Sequence, residues 1–317
     1  MNKMTPFKNL HSREYRVHQK EVRSVAWNFT GTKLASGSED LTARVWHIEP
    51  HGNMSQRNFV DLKGHKESVE QLCWDPKHAD LVATASVDKT VRLWDDRTGK
   101  CARLVKLSGP NINIAYKPDG EHIAVVNTNN ELTILDVRGF KPIHKKKFNC
   151  EVNEIAWNIT SDILFVTTGK DDKGDEKGIV QVLSYPSLQP LDNLTAHTAG
   201  CNCIAIDPCG RYVAVGSADS LVSLWDISEM LCVRTFTNIE SAVRTVSFNQ
   251  SGEYLASGSI DCFIDIANVQ TGRTVHQIPC GPAVNSVDWN PTSNLLAYAG
   301  DDNIKGIVRV FGFTSAG

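Results

Sequence analysis

The sequence predicts an all-β fold, a seven-bladed β-propeller, and three observations support this prediction. One phrase recurs along the chain, as VATASVDKTVRLWD at residues 82–95 and as VAVGSADSLVSLWD at residues 213–226. Seven such units lie 41 to 49 residues apart in the 317-residue chain, which is the period of a four-stranded blade. The segments are short, rich in Val, Ile, Leu and Thr, and separated by turn-forming residues, so strands are expected throughout.

Each repeat begins with an apolar strand, and the last residue of that strand marks the blade. In chain order these anchors are Trp27, Trp74, Tyr116, Trp157, Ile206, Phe248 and Trp289. A turn, a second strand, a tight turn and a third strand follow each anchor, as stretches such as KPDG and DPCG indicate. The strands are almost continuously apolar, as expected for sheets that pack on both faces.

The two ends of the chain are expected to close the ring together. The C-terminal stretch GIVRVFGF supplies only a third strand for the seventh blade. Closed propellers leave no long exposed sheet edge, so the fourth strand must come from the N-terminus, and SREYRV at residues 12–17 is the candidate. We therefore divide the chain into an N-terminal tail (1–11), a propeller (12–314) and a C-terminal tail (315–317).

Three repeats share a His, an Asp and a Trp, with the Asp always six residues before the Trp. These residues are His18, Asp40 and Trp46 in the first repeat, His65, Asp88 and Trp94 in the second, and His197, Asp219 and Trp225 in the fifth. Ser, His and Asp side chains could also form a nucleophilic triad, but a triad would occur once and would not need a Trp. The pattern resembles the WD-repeat family. That resemblance implies that His, Asp and Trp join a Ser or Thr in a buried hydrogen-bonded tetrad.

The other four repeats depart from the tetrad pattern. Leu135, Leu183, Ala267 and Phe311 stand at the Trp place of the third, fourth, sixth and seventh repeats, and Asn129 stands at the Asp place of the third. Ala267 replaces the largest side chain by one of the smallest. Because a missing buried aromatic leaves space that neighbours refill only in part, we expect the sixth blade to be packed less tightly.

Composition and charge argue against several classes of protein. The net charge of -3 gives no overall basic surface for nucleic acid, and without an 18-residue apolar run or a signal-peptide pattern we expect a soluble intracellular protein with no membrane partner. The nine scattered cysteines are expected to be reduced. Cys201 and Cys203 would share one face of an extended strand, but no second Cys or His pair completes a metal site. No phosphate-binding loop or paired-carboxylate motif occurs, so we expect no catalysis, cofactor or small-molecule substrate.

Five longer phrases are more specific than the WD pattern. They are SVEQLCWDP, NINIAYKPDG, FNCEVNEIAWN, GSADSLVSLWD and FIDIANVQTG. With them the chain resembles, from about Arg13 to Phe313, the family of WD-repeat subunits of the THO complex, especially its plant members. The resemblance implies a nuclear, non-catalytic scaffold that couples transcription to messenger-RNA packaging and export. It implies the other THO subunits as partners and, through the assembly, an RNA helicase, an export adaptor and RNA.

The sixth repeat departs from that family at one end. Ser241 and Ala242 stand where the family has a Trp-Pro pair, and Ile260 stands where an acidic residue is usual. The resemblance to propellers places both spots in loops at the same end of the blade. The candidate partner contacts around them are Glu240, Ile260, Phe263 and Asp265.

Two other functional interpretations remain open at this point. The stretch LWDDR at residues 93–97 fits the short Trp-Asp-x-Arg box of substrate receptors of cullin-RING ubiquitin ligases, although an Arg in this place also commonly pairs with a surface carboxylate. A chromatin or histone-tail reader would need an acidic central channel lined by aromatic residues. Affinity purification from nuclear extract would separate the three interpretations.

One short basic cluster, HKKKF, contains Lys145, Lys146 and Lys147. Such a cluster serves either as an RNA contact or import signal, or as a solvated strand edge that discourages edge pairing. We favour the strand edge, because three lysines neutralise only about three phosphates.

Overall fold

The computed structural model describes residues 6–16, 18–48, 54–281, 283–300 and 305–314. In these ranges every assigned secondary-structure element is a β-strand. The strands form seven antiparallel four-stranded sheets, which are the blades. The predicted seven-bladed propeller is confirmed. The described residues include no helix with the length and apolar character that crossing a membrane requires.

The first strand of the chain, β1 (Leu10–Arg16), belongs to the last blade, and the following strands fill the blades in order. Blades one to four consist of β2 (Val22–Trp27), β3 (Lys33–Ser38), β4 (Thr42–Ile48), β5 (Met54–Lys63); β6 (Val69–Trp74), β7 (Leu81–Ser86), β8 (Thr90–Asp95), β9 (Lys100–Lys106); β10 (Asn111–Tyr116), β11 (His122–Asn127), β12 (Glu131–Asp136), β13 (Lys141–Lys147); and β14 (Cys150–Trp157), β15 (Ile163–Asp171), β16 (Gly178–Ser184), β17 (Pro190–His197).

Blades five to seven continue the same order, and the seventh is completed by β1. They consist of β18 (Cys201–Ile206), β19 (Tyr212–Ser217), β20 (Val222–Asp226), β21 (Leu231–Phe236); β22 (Val243–Phe248), β23 (Tyr254–Ser259), β24 (Phe263–Asn268), β25 (Thr274–Pro279); and β26 (Val284–Trp289), β27 (Leu296–Gly300), β28 (Ile307–Thr314). Within each blade the first strand is innermost. It contacts the first strand of the next blade, and β26 contacts β2, so these seven strands surround the central channel.

The seven anchors are the last residues of the innermost strands, as the repeat predicts. The indole groups of Trp27, Trp74 and Trp157 join neighbouring blades. The Nε1 of Trp27 donates to the carbonyl of Asp288 at 3.1 Å, and the Nε1 of Trp74 donates to the carbonyl of Ala26 at 2.9 Å. A Trp at the end of an innermost strand therefore packs its own blade and fixes the adjacent one.

The N-terminal strand closes the ring, as predicted. It pairs with β28 in an antiparallel register that runs from Leu10 opposite Thr314 to Arg16 opposite Ile307; Val17 lies outside the described residues. The predicted boundary between tail and propeller, after residue 11, falls too late in the chain. The strand begins at Leu10, and Phe7 is 0% exposed because its ring fills space between blades six and seven.

A β-bulge recurs near the start of the innermost strand and changes which face its residues occupy. In blade five the register shifts between Cys201 and Cys203. The prediction that these two side chains share a face is wrong, because one extra residue inverts the alternation of a strand. Cys201 packs with Trp225 between blades four and five, whereas Cys203 packs with Val243 between blades five and six. Burial raises the pKa of the Cys201 thiol to about 12, so this thiol stays protonated.

Candidate interaction site

Blade two contains a complete hydrogen-bonded tetrad. The Nδ1 of His65, in the loop before β6, lies 2.8 Å from Oδ2 of Asp88. Its Nε2 lies 2.7 Å from the hydroxyl of Thr84 on β7, and the indole of Trp94 donates to the same hydroxyl at 2.9 Å. The Thr84 hydroxyl is thus the link between the imidazole and the indole.

Blade one has the same arrangement with a serine. The Nδ1 of His18 lies 2.9 Å from Oδ2 of Asp40, and its Nε2 lies 2.5 Å from the hydroxyl of Ser36. Trp46 stands edge-on to the imidazole, with ring centroids 6.4 Å apart. Asp40 also accepts the backbone N–H of Gln19, so the carboxylate holds the loop before β2 in place.

Blade five takes its hydroxyl from a different strand. The Nδ1 of His197 lies 3.1 Å from Asp219, but Val215 stands where blades one and two have Ser36 and Thr84. The hydroxyl comes from β20, where Ser223 lies 2.8 Å from the Nε2 of His197.

The same hydroxyl accepts the indole N–H of Trp225 at 2.8 Å. Sequence reasoning missed Ser223 as the fourth member. A Val in the usual place and a Ser two residues before the Trp are the signals that could have found it.

Burial and hydrogen bonds fix the charges of the blade-two tetrad. Burial alone would raise the pKa of the Asp88 carboxyl, but hydrogen bonds from Thr90, His65 and the backbone N–H of Lys66 lower it to about 2. Burial lowers the pKa of His65 against the opposing effect of Asp88. The carboxylate is therefore ionised and the imidazole neutral, and both ring nitrogens are engaged. Chemically the arrangement can hold a loop; it offers no imidazole nitrogen to a substrate.

Blade six retains the carboxylate and, in buried Ser257, the hydroxyl place of the tetrad, but not its His or Trp. Ile239 and Ala267 occupy the His and Trp places, and both are buried in an apolar cluster. Asp261 still accepts the backbone N–H groups of Glu240 at 3.0 Å and Ser241 at 3.3 Å. The carboxylate therefore keeps the loop in position, while apolar packing replaces the buried hydrogen bonds.

The candidate partner contacts of blade six separate into two groups. Ile260 is 44% exposed and Glu240 is exposed, and both lie at the same end of the blade. Phe263 is half-buried. Asp265 is only 2% exposed and its carboxylate accepts the hydroxyl of Thr274 at 2.7 Å. Asp265 is therefore not a partner contact, because its side chain on β24 points into the interior of the blade.

The three lysines of the basic cluster lie on the outer strand β13 and bond to the chain itself. Lys145 lies 3.2 Å from Glu131. Lys146 donates to the carbonyl of Leu188 at 3.1 Å, and Lys147 donates to a main-chain carbonyl. These contacts fit a solvated strand edge more closely than a row of ammonium groups held ready for phosphates.

Two half-buried residues, Glu154 and Asp288, place their carboxyl groups in a cavity of about 390 Å³ in the central channel. The carboxylate of Glu154 in blade four accepts a hydrogen bond from Nε2 of Gln71 at 3.2 Å and another from the backbone N–H of Ile204 at 2.8 Å. Glu154 thereby connects blade two with blade five. Asp288 accepts the backbone N–H of Trp27 at 2.8 Å. Burial raises the pKa of both carboxyls to about 7. Sequence reasoning missed them; their signal is an acidic residue inside an apolar innermost strand.

The Arg of the LWDDR stretch pairs within its own turn. Arg97 donates from Nε to Asp95 at 3.0 Å and from Nη2 to the other carboxylate oxygen at 2.7 Å. Its side chain is 66% exposed, so the pair lies at the surface. This two-point contact is what the surface-pairing interpretation of the motif expects.

Comparison with known proteins agrees with this geometry. The THOC3 beta-propeller domain matches residues 18–299. The chain is 69% identical to "THO complex subunit 3" of Arabidopsis thaliana over 98% of both chains. It is 34% identical to "WD repeat-containing protein AAC3" of Dictyostelium discoideum over 98% of this chain and 68% of that protein, and 26% identical to "WD repeat-containing protein 26 homolog" of Arabidopsis thaliana over 93% and 49%. The chain therefore belongs to the THOC3 propeller family, the WD-repeat subunits of the THO complex.

Proposed function

We propose that the protein is a scaffold subunit of the THO complex that works in the nucleus without catalysing a reaction. The observation that carries this proposal is the 69% identity to a THO subunit along 98% of both chains. Its direct partners are the other THO subunits. The RNA helicase, the export adaptor and RNA are reached through the assembly.

The chemistry of the propeller supports a scaffold role. Both ring nitrogens of His65 and His197 are occupied by neighbouring side chains, so these groups stabilise blades. The ring presents outer strands and loops in fixed positions, which suits the assembly of several partners on one surface. Catalysis is not required for any of these contacts.

Reconstitution tests the proposal directly. The full chain is mixed with the purified remaining THO subunits and analysed by size-exclusion chromatography, with affinity purification from nuclear extract as the second measurement. Co-elution in a stable complex is the expected result. Recovery of a cullin-RING adaptor or of histones in place of THO subunits would overturn the proposal.

A further inference from the structure

The interface between blades five and six differs from the tetrad-locked interfaces. In blade two, Trp94 packs against Ala35 and Val45 of the preceding blade. Ala267 holds the same place in blade six, in a cluster with Leu224 of blade five. A groove of about 550 Å³ lies beside this cluster. The groove is therefore located where the chain lacks a large interblade aromatic side chain.

The floor of the groove is apolar. Leu224 of β20 and Val269, which follows β24, line it and are both buried. Val233 of the outer strand β21 lines the same groove and is 49% exposed. Leu224 and Val269 are already out of water, so the apolar surface that a partner's side chain would remove from water here is that of Val233.

The rim of the groove carries two guanidinium groups, and among the described residues only that of Arg211 is paired with a carboxylate. Arg234 reaches from blade five to blade six, where Nη2 donates to the carbonyl of Gln270 at 2.7 Å and Nη1 to that of Thr271 at 3.3 Å. These acceptors are uncharged, and a guanidinium has five N–H donors, so further donors remain for a carboxylate. Arg211 stacks on Tyr212 and pairs with Asp207.

Glu253 is the one carboxylate among the described residues that line the groove, and Asp207 beside it already pairs with Arg211, so Arg234 is the guanidinium left for a partner. Arg binds carboxylates through two parallel hydrogen bonds, and Arg234 is already held in position by the loop of blade six. We propose that this groove binds a segment of another THO subunit in which an apolar side chain stands beside one or two carboxylates. The inference rests on the proposed function, because it takes the partner from the same assembly.

Two variants test the groove, and blade two offers a matched control. Arg234→Glu reverses the rim charge, and Val233→Glu places a carboxylate against the incoming acidic segment. Cys101 pairs with Trp94 as Cys232 pairs with Trp225, so Arg103 occupies in blade two the position that Arg234 occupies in blade five. Arg103→Glu is therefore an equal change of charge on an equivalent strand.

The measurement is the dissociation constant of each full-length variant for the assembly of the remaining THO subunits at about 0.15 M salt. We expect at least about tenfold weaker binding for Arg234→Glu and Val233→Glu, and a change within about twofold for Arg103→Glu. Thermal melting checks that each variant is folded. Val233 is 49% exposed and does not hold the loop of blade six, so its variant decides the question if Arg234→Glu melts early.

A photo-crosslinking residue at position 233 identifies the occupant in the assembled complex. Attachment to an acidic segment with an apolar residue supports the inference, whereas attachment to RNA or to a basic segment overturns it. If wild-type chain binds the assembly and both groove variants bind equally well, the groove inference is wrong and the proposed function stands. If wild-type chain does not bind, the proposed function itself fails.

Discussion

Single buried polar side chains decide how the blades are locked. Thr84 contacts His65 and accepts the indole N–H of Trp94, so the loss of one member leaves others without partners. An unsatisfied buried polar group costs more free energy than the hydrogen bond itself contributes. In blade six Ile239 and Ala267 take the places of the imidazole and the indole, so the hydroxyl place, held by buried Ser257, has neither ring as a partner.

Asp88→Ala tests the lock of blade two. The change leaves Nδ1 of His65 and the hydroxyl of Thr90 without their acceptor, and we expect a loss of about 1–3 kcal/mol in the free energy of unfolding. Denaturant unfolding measures the loss. Asp192→Ala, a change at an exposed carboxylate of β17, is the control and should shift the midpoint very little. An Asp88→Ala protein as stable as wild type would contradict the tetrad as a structural lock.

Glu154 makes stability depend on pH in the neutral range. Burial raises its pKa from 4.5 to about 7, so the folded protein binds this proton more tightly than the unfolded chain does. The contribution is complete below the unfolded pKa and is lost as pH rises through about 7. Asp288 acts in the same direction, with its pKa raised to about 7.

Glu154→Gln removes this titrating carboxyl, so the melting temperature of the variant should fall less than that of wild type between about pH 5 and pH 8. Each pKa unit between the folded and unfolded states corresponds to about 1.4 kcal/mol in the free energy of unfolding. Melting curves across this range measure the effect. Glu229→Gln, a change on an exposed turn, is the control and should leave the slope unchanged. A slope that is equally steep in wild type and Glu154→Gln would contradict the assignment.

The N-terminal segment contributes a complete strand and a buried aromatic residue to the propeller. The strand β1 supplies the fourth strand of blade seven, and Phe7 lies before it in the chain. The ring of Phe7 lies 5.0 Å from that of Tyr254, 5.9 Å from Trp289 and 6.3 Å from Phe311. The N-terminus therefore adds both a strand and an aromatic core residue, and joins blade six to blade seven.

Phe7→Ala should lower stability by about 3–5 kcal/mol, the usual range for removing a buried aromatic ring. Thermal melting with denaturant unfolding measures the change. Phe29→Ala is the matched control, because Phe29 is 45% exposed and its removal leaves no interior cavity. Equal melting of the two variants would show that Phe7 does not contribute to the core in solution.

The whole molecule depends on ring closure. Every blade packs on two neighbours, and the contact between β26 and β2 closes the circle. The edge of β28 is covered by β1 from residue 307 to residue 314. Opening this blade exposes unpaired backbone groups of one strand and apolar surface between blades six and seven.

Removal of residues 1–16 tests closure. We expect aggregation, or a loss of melting temperature well beyond that of Phe7→Ala, because a strand and its core contacts leave together. Light scattering and thermal melting measure the two outcomes. Adding the missing strand as the peptide of residues 6–16 should restore part of the stability. A truncated chain that stays monomeric with unchanged melting would contradict the closure.

Local pattern was enough to predict the architecture. The period of the anchors, the turn residues between strands and the unfinished last repeat predict seven blades and a closing N-terminal strand, because each depends on residues within one repeat or at one chain end. The fixed spacing before Trp46, Trp94 and Trp225 likewise predicts which repeats carry the His, Asp and Trp of a tetrad.

Tertiary structure decided every feature that depends on contacts between distant segments. Ser223 enters its tetrad from a neighbouring strand, and a bulge places Cys201 and Cys203 on opposite faces, although a regular strand would place them together. Asp265 is buried by its blade and Phe7 by two blades. The groove between blades five and six arises in the same way, since its lining residues come from two blades and meet only when these blades pack together.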